Sequence, residues 1–156
     1  MTILVVAAAI GAALVGGIFY AFSTFVMGAL GRLVPREGIA AMQSINIVVL
    51  NPLFFLAFFG TVVLCAAVII AALVPGSGVP LAPALAGGVL YIVGCLGVTI
   101  ARNVPLNNRL AEVAPDDAES ESLWQTYQVR WTRWNHVRTA ASLVASALLV
   151  VAEVAG

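Results

Sequence analysis

The chain has 156 residues, 62% hydrophobic and only 9% charged, against about 25% charged in an ordinary soluble domain. Seven arginines balance seven acidic residues and lysine is absent, so the charge gives no reason to expect a nucleic-acid partner. A mean hydropathy of +1.08 excludes a water-soluble globule and predicts a single integral membrane domain over residues 1–156.

In chain order, the first apolar run lacks the positive leader of a signal peptide and is too long for one, so it reads as a retained span. No charge occurs from Met1 to Gly31, nor between Glu37 and Arg102, and the breakers of PGSGVP (75–80) divide that second stretch. A span needs roughly 20 apolar residues. The pattern therefore predicts an all-α fold, a four-transmembrane-helix bundle with spans at about 2–31, 45–74, 80–101 and 132–154. Residues 2–31 and 36–74 both exceed a span, and 117–154 reads as one helix with a wet first half, so the helices are expected to extend on the cytoplasmic side. Pro52 has no N–H to donate and is expected to kink or start its helix, with Asn51 as cap. All seven arginines lie on the connections after the first and third spans. The positive-inside rule makes that side cytoplasmic and places both termini outside, as in a bacterial inner-membrane protein. Small residues recur where helices must approach: Gly87, Gly94 and Ala101 at intervals of seven, and Ala12 and Gly16 four apart.

Polar side chains gather at one end of this arrangement. Gln43 and Asn46 share a face, Asn51 follows, and Asn103 and Asn107 sit four apart in ARNVPLNNR. Trp124, Tyr127, Trp131, Trp134 and Arg138 are spaced 3, 4, 3, 4, which is one face of a helix, with Asn135 beside them. Buried amides must find partners, and a lined cavity facing the cytoplasm would supply them. Each residue also has a plainer reading: Trp131 and Trp134 as interfacial anchors, the arginines as topogenic charges or lipid headgroup contacts, Asn51 as a cap, and NVPLN as a helix exit.

One histidine cannot supply both axial ligands of a bis-His haem, and no cluster has zinc or copper spacing. No cofactor is predicted, although a metal or haem shared between protomers of a homo-oligomer stays open. Cys65 and Cys95 form no CxxC, and no phosphate-binding glycine motif occurs. The remaining chemistry suits a flat, lipophilic, weakly acidic aromatic molecule. His136 is the candidate base. Arg138 and amides such as Asn135 are the candidate donors to a developing enolate oxygen, with aromatic walls at Tyr127, Trp131 and Trp134. An electron-rich enolate can react with O2 without a metal.

GIFYAFSTFVMGAL (17–30), MQSINIVVLNPLF (42–54), NVPLNNRL (103–110) and WNHVRT (134–139) resemble the anthrone-oxygenase-like membrane family, in order and over nearly the whole chain. The family's VMPAL-like stretch reads VMGAL here, with Gly28 for proline, which alters the bend of the first helix. The resemblance implies four spans and points to Asn46, Asn51, Asn103, Asn107, Trp134, Asn135, His136 and Arg138 as site residues. It implies a cofactor-independent monooxygenase acting on an anthrone- or phenol-type compound. The alternative is a non-enzymatic lipid- or quinone-binding membrane subunit; membrane lipid is an expected partner under either reading.

Overall fold

A computed structural model describes residues 2–117 and 120–156, and the described residues are helical with short connections. Five helices carry the fold: α1 (Thr2–Leu30), α2 (Pro35–Val48), α3 (Pro52–Leu73), α4 (Leu81–Ala111) and α5 (Ser120–Val154). All but α2 are long and apolar enough to cross a membrane, and the chain is built as an integral membrane protein. The four long helices close a ring in which α1 packs on α3 and α5, and α4 packs on the same two neighbours. The short α2 lies at the arginine-bearing end, against α5 and the last turns of α4.

The first expected span agrees with α1, and the other boundaries move. The second span begins at Pro52 instead of residue 45. Pro52 opens α3 at its first turn, and the Asn51 side chain accepts from the Phe54 N–H at 3.0 Å while its amide donates to Val48 O at 2.9 Å. One side chain thus caps α3 and satisfies a terminal carbonyl of α2. The third helix does not stop at 101 but runs to Ala111. Its π-helical turns at Leu90–Gly97 and Thr99–Asn103 widen the coil just before Pro105, which accommodates the proline's missing donor without ending the helix. The fourth helix, α5, runs unbroken from Ser120 through the expected span at 132–154, in keeping with the reading of 117–154 as one helix. Its 35 residues reach about 52 Å, well beyond a hydrocarbon core of about 30 Å.

Two apolar cores result. The larger lies among the four long helices, around Ala8, Val15, Cys65, Val68, Tyr91 and Leu149. The smaller lies at the arginine-bearing end, where Met27, Leu30, Ile39, Met42 and Leu110 enclose Trp124, Tyr127 and Trp131. The Gln43 amide donates to Leu110 O at 2.8 Å and Val113 O at 3.0 Å, tying α2 to the carbonyls at the end of α4.

The small-residue stripe does pack at Gly87 and Gly94, but Ala101 is exposed. The π turns between them add residues to each turn, so a seven-residue period no longer keeps one face. A Cβ placed on Gly94 would meet the Ala141 Cβ at 2.6 Å. Gly94→Ala is therefore expected to destabilise the protein by about 1–3 kcal/mol through overpacking. Gly17→Ala, where an added Cβ meets nothing within 4 Å, is expected to leave thermal unfolding in detergent nearly unchanged.

Candidate functional site

At the arginine-bearing half of the ring, α1, α2, α3, α4 and α5 enclose a cavity of about 200 Å³. Its walls are mostly aromatic and aliphatic: Phe19 and Phe22 from α1, Phe54, Phe55, Phe58 and Phe59 from α3, and Trp131 from α5. The cavity exists because α3 and α4 part at this end. Pro52–Leu73 packs on Leu81–Gly97, whereas the next turn of α4, Thr99–Asn103, packs on α5. The exposed part of the rim is apolar, with Phe55 and Phe59 on α3 and Ile100 and Val104 on α4. A second, more polar groove lined by Gln43, Asn46, Asn107 and Asn108 adjoins the cavity between α2 and α4.

Four polar side chains line this apolar space: Arg138, Thr99, Asn46 and Asn107. Arg138 is the unusual one. It is only 5% exposed, and the sole ion pair among the described residues, Arg36–Asp116, lies elsewhere. The Arg138 Nε donates to Asn135 Oδ1 at 3.0 Å, and Nη1 donates to Thr99 Oγ1 at 3.3 Å. Its guanidinium carbon lies 3.9 Å from the centre of the Phe19 ring and 4.9 Å from that of Trp131. Aromatic faces stabilise a cation, but they do not neutralise it. A guanidinium has five N–H donors, so donors remain for whatever enters the cavity.

Asn135 holds that arginine in place. Fully buried, it donates to Phe19 O and to Ser23 Oγ, both at 2.7 Å, while its carbonyl receives Arg138. Phe19 lies in a regular helical turn of α1, and Ser23 in the π turn Phe22–Val26 that follows it. Widened turns of this kind often occur at functional sites, and this one brings Ser23 between Asn135 and Thr139. In α4, the π turn Thr99–Asn103 carries Thr99 to the guanidinium.

A family model described as anthrone oxygenase matches residues 54–148, more than half of the chain. The chain belongs to the anthrone oxygenase family. No curated protein and no solved structure matches it. The matched segment contains nearly all of α3, all of α4 and most of α5, and with them Arg138, Thr99, Asn107, Asn135 and the four phenylalanines that α3 gives the cavity wall.

In this member of the anthrone oxygenase family, the structure gathers some expected site residues and separates others. Arg138, Asn46, Asn107 and Trp131 line the cavity, and Asn135 supports Arg138 from behind. Asn107 Oδ1 accepts both the Tyr127 hydroxyl, at 2.9 Å, and the Trp131 indole N–H, at 2.8 Å. Tyr127 is thereby a buried support and not a lining group. Asn103 is 1% exposed and donates to Trp131 O at 3.2 Å, while its own Oδ1 finds no partner. Asn51 is the helix cap already described. Trp134 packs against the Arg102 guanidinium, 4.8 Å from the ring centre.

His136 does not share a pocket with Arg138. Two positions along an α-helix turn the side chain by about 200°, so His136 is exposed on the far face of α5, in a groove with Thr132, Arg133 and Ser23. Among the described residues, no three His, Cys, Asp or Glu side chains gather to hold a metal ion. Thr99 and the four phenylalanines of α3 entered no sequence expectation. Phe54 with Phe58, and Phe55 with Phe59, stand four apart, a periodic signal, but in a span of similar apolar residues it does not separate a cavity wall from a lipid-facing surface.

Proposed function

We propose that the protein is a membrane oxygenase acting on a lipophilic anthrone- or phenol-type compound in this cavity, with O2 as the co-reactant. The observation that carries the reading is Arg138: a buried cation with no carboxylate partner among the described residues, set in the wall of an aromatic cavity. A charge in such a place is costly unless something compensates it. A substrate whose ring oxygen becomes an enolate would supply the missing anion. Hydrogen bonds and charge aimed at a developing oxyanion count most where water is scarce.

The Phe19, Phe22 and Trp131 rings would hold the flat substrate, and Arg138, fixed by Asn135 and Thr99, would hold its oxygen. Loss of a C–H proton makes the enolate, and the groove beside Asn46 and Asn107 is the route by which solvent would take that proton. The enolate carbon then gives electrons to O2 and gains one of its oxygens. The methylene becomes a carbonyl, and the other oxygen leaves as water with the two hydrogens lost from carbon. By the positive-inside rule, the cavity half faces the cytoplasm and both termini lie outside.

Oxygen consumption by the purified protein with an anthrone, with the quinone product followed optically, tests the activity. Catalysed uptake above the spontaneous rate supports the reading. Saturable anthrone binding without uptake would instead make the protein a binding subunit.

A further inference from the structure

The contact between α1 and α5 has a second side, turned away from the cavity. There, Ser23, Thr24 and Gly28 of α1 and Thr132, Arg133 and His136 of α5 line an open groove of about 470 Å³. Its lining includes a guanidinium and an imidazole and no carboxylate. A Cβ on Gly28 would meet nothing within 4 Å, so this edge of the groove is open.

An exposed apolar face leads away from the polar groove along the same two helices. His136, Ala140, Leu143, Ala147 and Val150 are spaced 4, 3, 4, 3 and all are exposed, so they form one stripe down α5. Opposite it on α1, Ile10, Ala13, Gly17 and Tyr20 are spaced 3, 4, 3 and are likewise exposed. Farther along, from Ser146 on, the two helices border a separate groove of about 210 Å³ whose lining includes Ile10, Ala13, Ser146, Val150 and Glu153. The ten positions from His136 to Ser146 rise about 15 Å, half of a hydrocarbon core of about 30 Å. A cationic notch and, beside it, an exposed apolar face one leaflet deep fit the two parts of a phospholipid.

We propose that this seam is a binding site for one anionic phospholipid. Its phosphodiester sits between Arg133 and His136, with the Thr132 hydroxyl beside it, and an acyl chain runs along the seam past Gly17. Arg133 supplies charge-assisted hydrogen bonds, which are about twice as strong as neutral ones. The site is separate from the cavity that holds Arg138.

Native mass spectrometry of the full chain, released from mixed phosphatidylglycerol and phosphatidylcholine, tests the proposal. One phosphatidylglycerol is expected to be retained in preference to phosphatidylcholine. Arg133→Ala should lower that retention about tenfold or more, the loss of a hydrogen bond to a charged group. Arg130→Ala removes the same charge from an exposed position outside the groove and should change retention by no more than about twofold. Gly17→Leu fills the seam without altering charge and should also weaken retention; circular dichroism and melting of each variant verify its fold. Equal losses for Arg130→Ala and Arg133→Ala would overturn the site in favour of unspecific attraction. So would equal retention of both lipids, or displacement of the lipid by millimolar inorganic phosphate.

Discussion

Arg138→Met is expected to raise the melting temperature while lowering anthrone turnover about 10²–10³-fold, the usual effect of removing one donor to an oxyanion. The two changes have one cause. Arg138 is buried among Phe19, Trp131 and the other apolar walls, with Asn135 and Thr99 as its hydrogen-bond partners and no ion pair. An unbranched apolar side chain of similar length avoids the several kcal/mol that burying an unpaired ion costs, which outweighs the roughly 1–3 kcal/mol for leaving Asn135 Oδ1 without its donor. Arg138→Lys keeps a charge but loses the planar fork that reaches Asn135 and Thr99 together, so it should recover little turnover. Thermal unfolding in detergent and oxygen uptake, measured on the same preparations, decide the matter. Unchanged turnover with a lowered melting temperature would make the arginine a structural group and remove the main support for the oxygenase reading.

Asn107→Leu is expected to act in the opposite sense on stability, lowering it by about 2–6 kcal/mol. The Asn107 carbonyl oxygen accepts from both Tyr127 and Trp131, and both side chains are buried. Leucine would leave two buried donors without partners, at about 1–3 kcal/mol each. The damage should spread along the aromatic stack. Trp124 and Tyr127 lie 5.6 Å apart at 15°, and Tyr127 and Trp131 lie 6.2 Å apart at 24°. A red shift of tryptophan emission, as water reaches the stack, would accompany the loss. Asn107→Asp, which keeps the two acceptor contacts, should retain more of the stability than leucine does. If leucine and aspartate lowered the melting temperature equally, the shared carbonyl would not be what holds the stack.

The stack also shows why the sequence could be read so far and no further. The spacing of Trp124, Tyr127 and Trp131 placed them on one face correctly, because α5 is regular throughout and its period survives from Ser120 to Val154. What the face meets was not legible. Trp124 lies against Gly38 of α2, Tyr127 reaches Asn107 of α4, and only Trp131 touches the cavity. The same regular period carries His136 and Arg138 to opposite sides of α5, a conclusion that helical geometry would allow from the sequence once the cavity side is known. In α4 the period itself fails. The π turns before Asn103 rotate Thr99 towards Arg138 and Ala101 outward, and neither shift has a residue signature beyond the proline that follows.

The amino-acid order was enough for the membrane class, the four long helices, the cap at Asn51 and the family resemblance. These depend on local quantities: apolar length, charge placement, proline chemistry and short motifs. The cavity and the isolation of Arg138 within it needed the folded chain. So did the placing of His136 in a separate groove, and the burial of Tyr127 and Asn103, expected as lining groups, and of Asn135, expected as a donor, behind the cavity wall. A side chain's role at a shared boundary is set by which neighbouring helix stands opposite, and that depends on contacts between residues as far apart as Phe19 and Asn135.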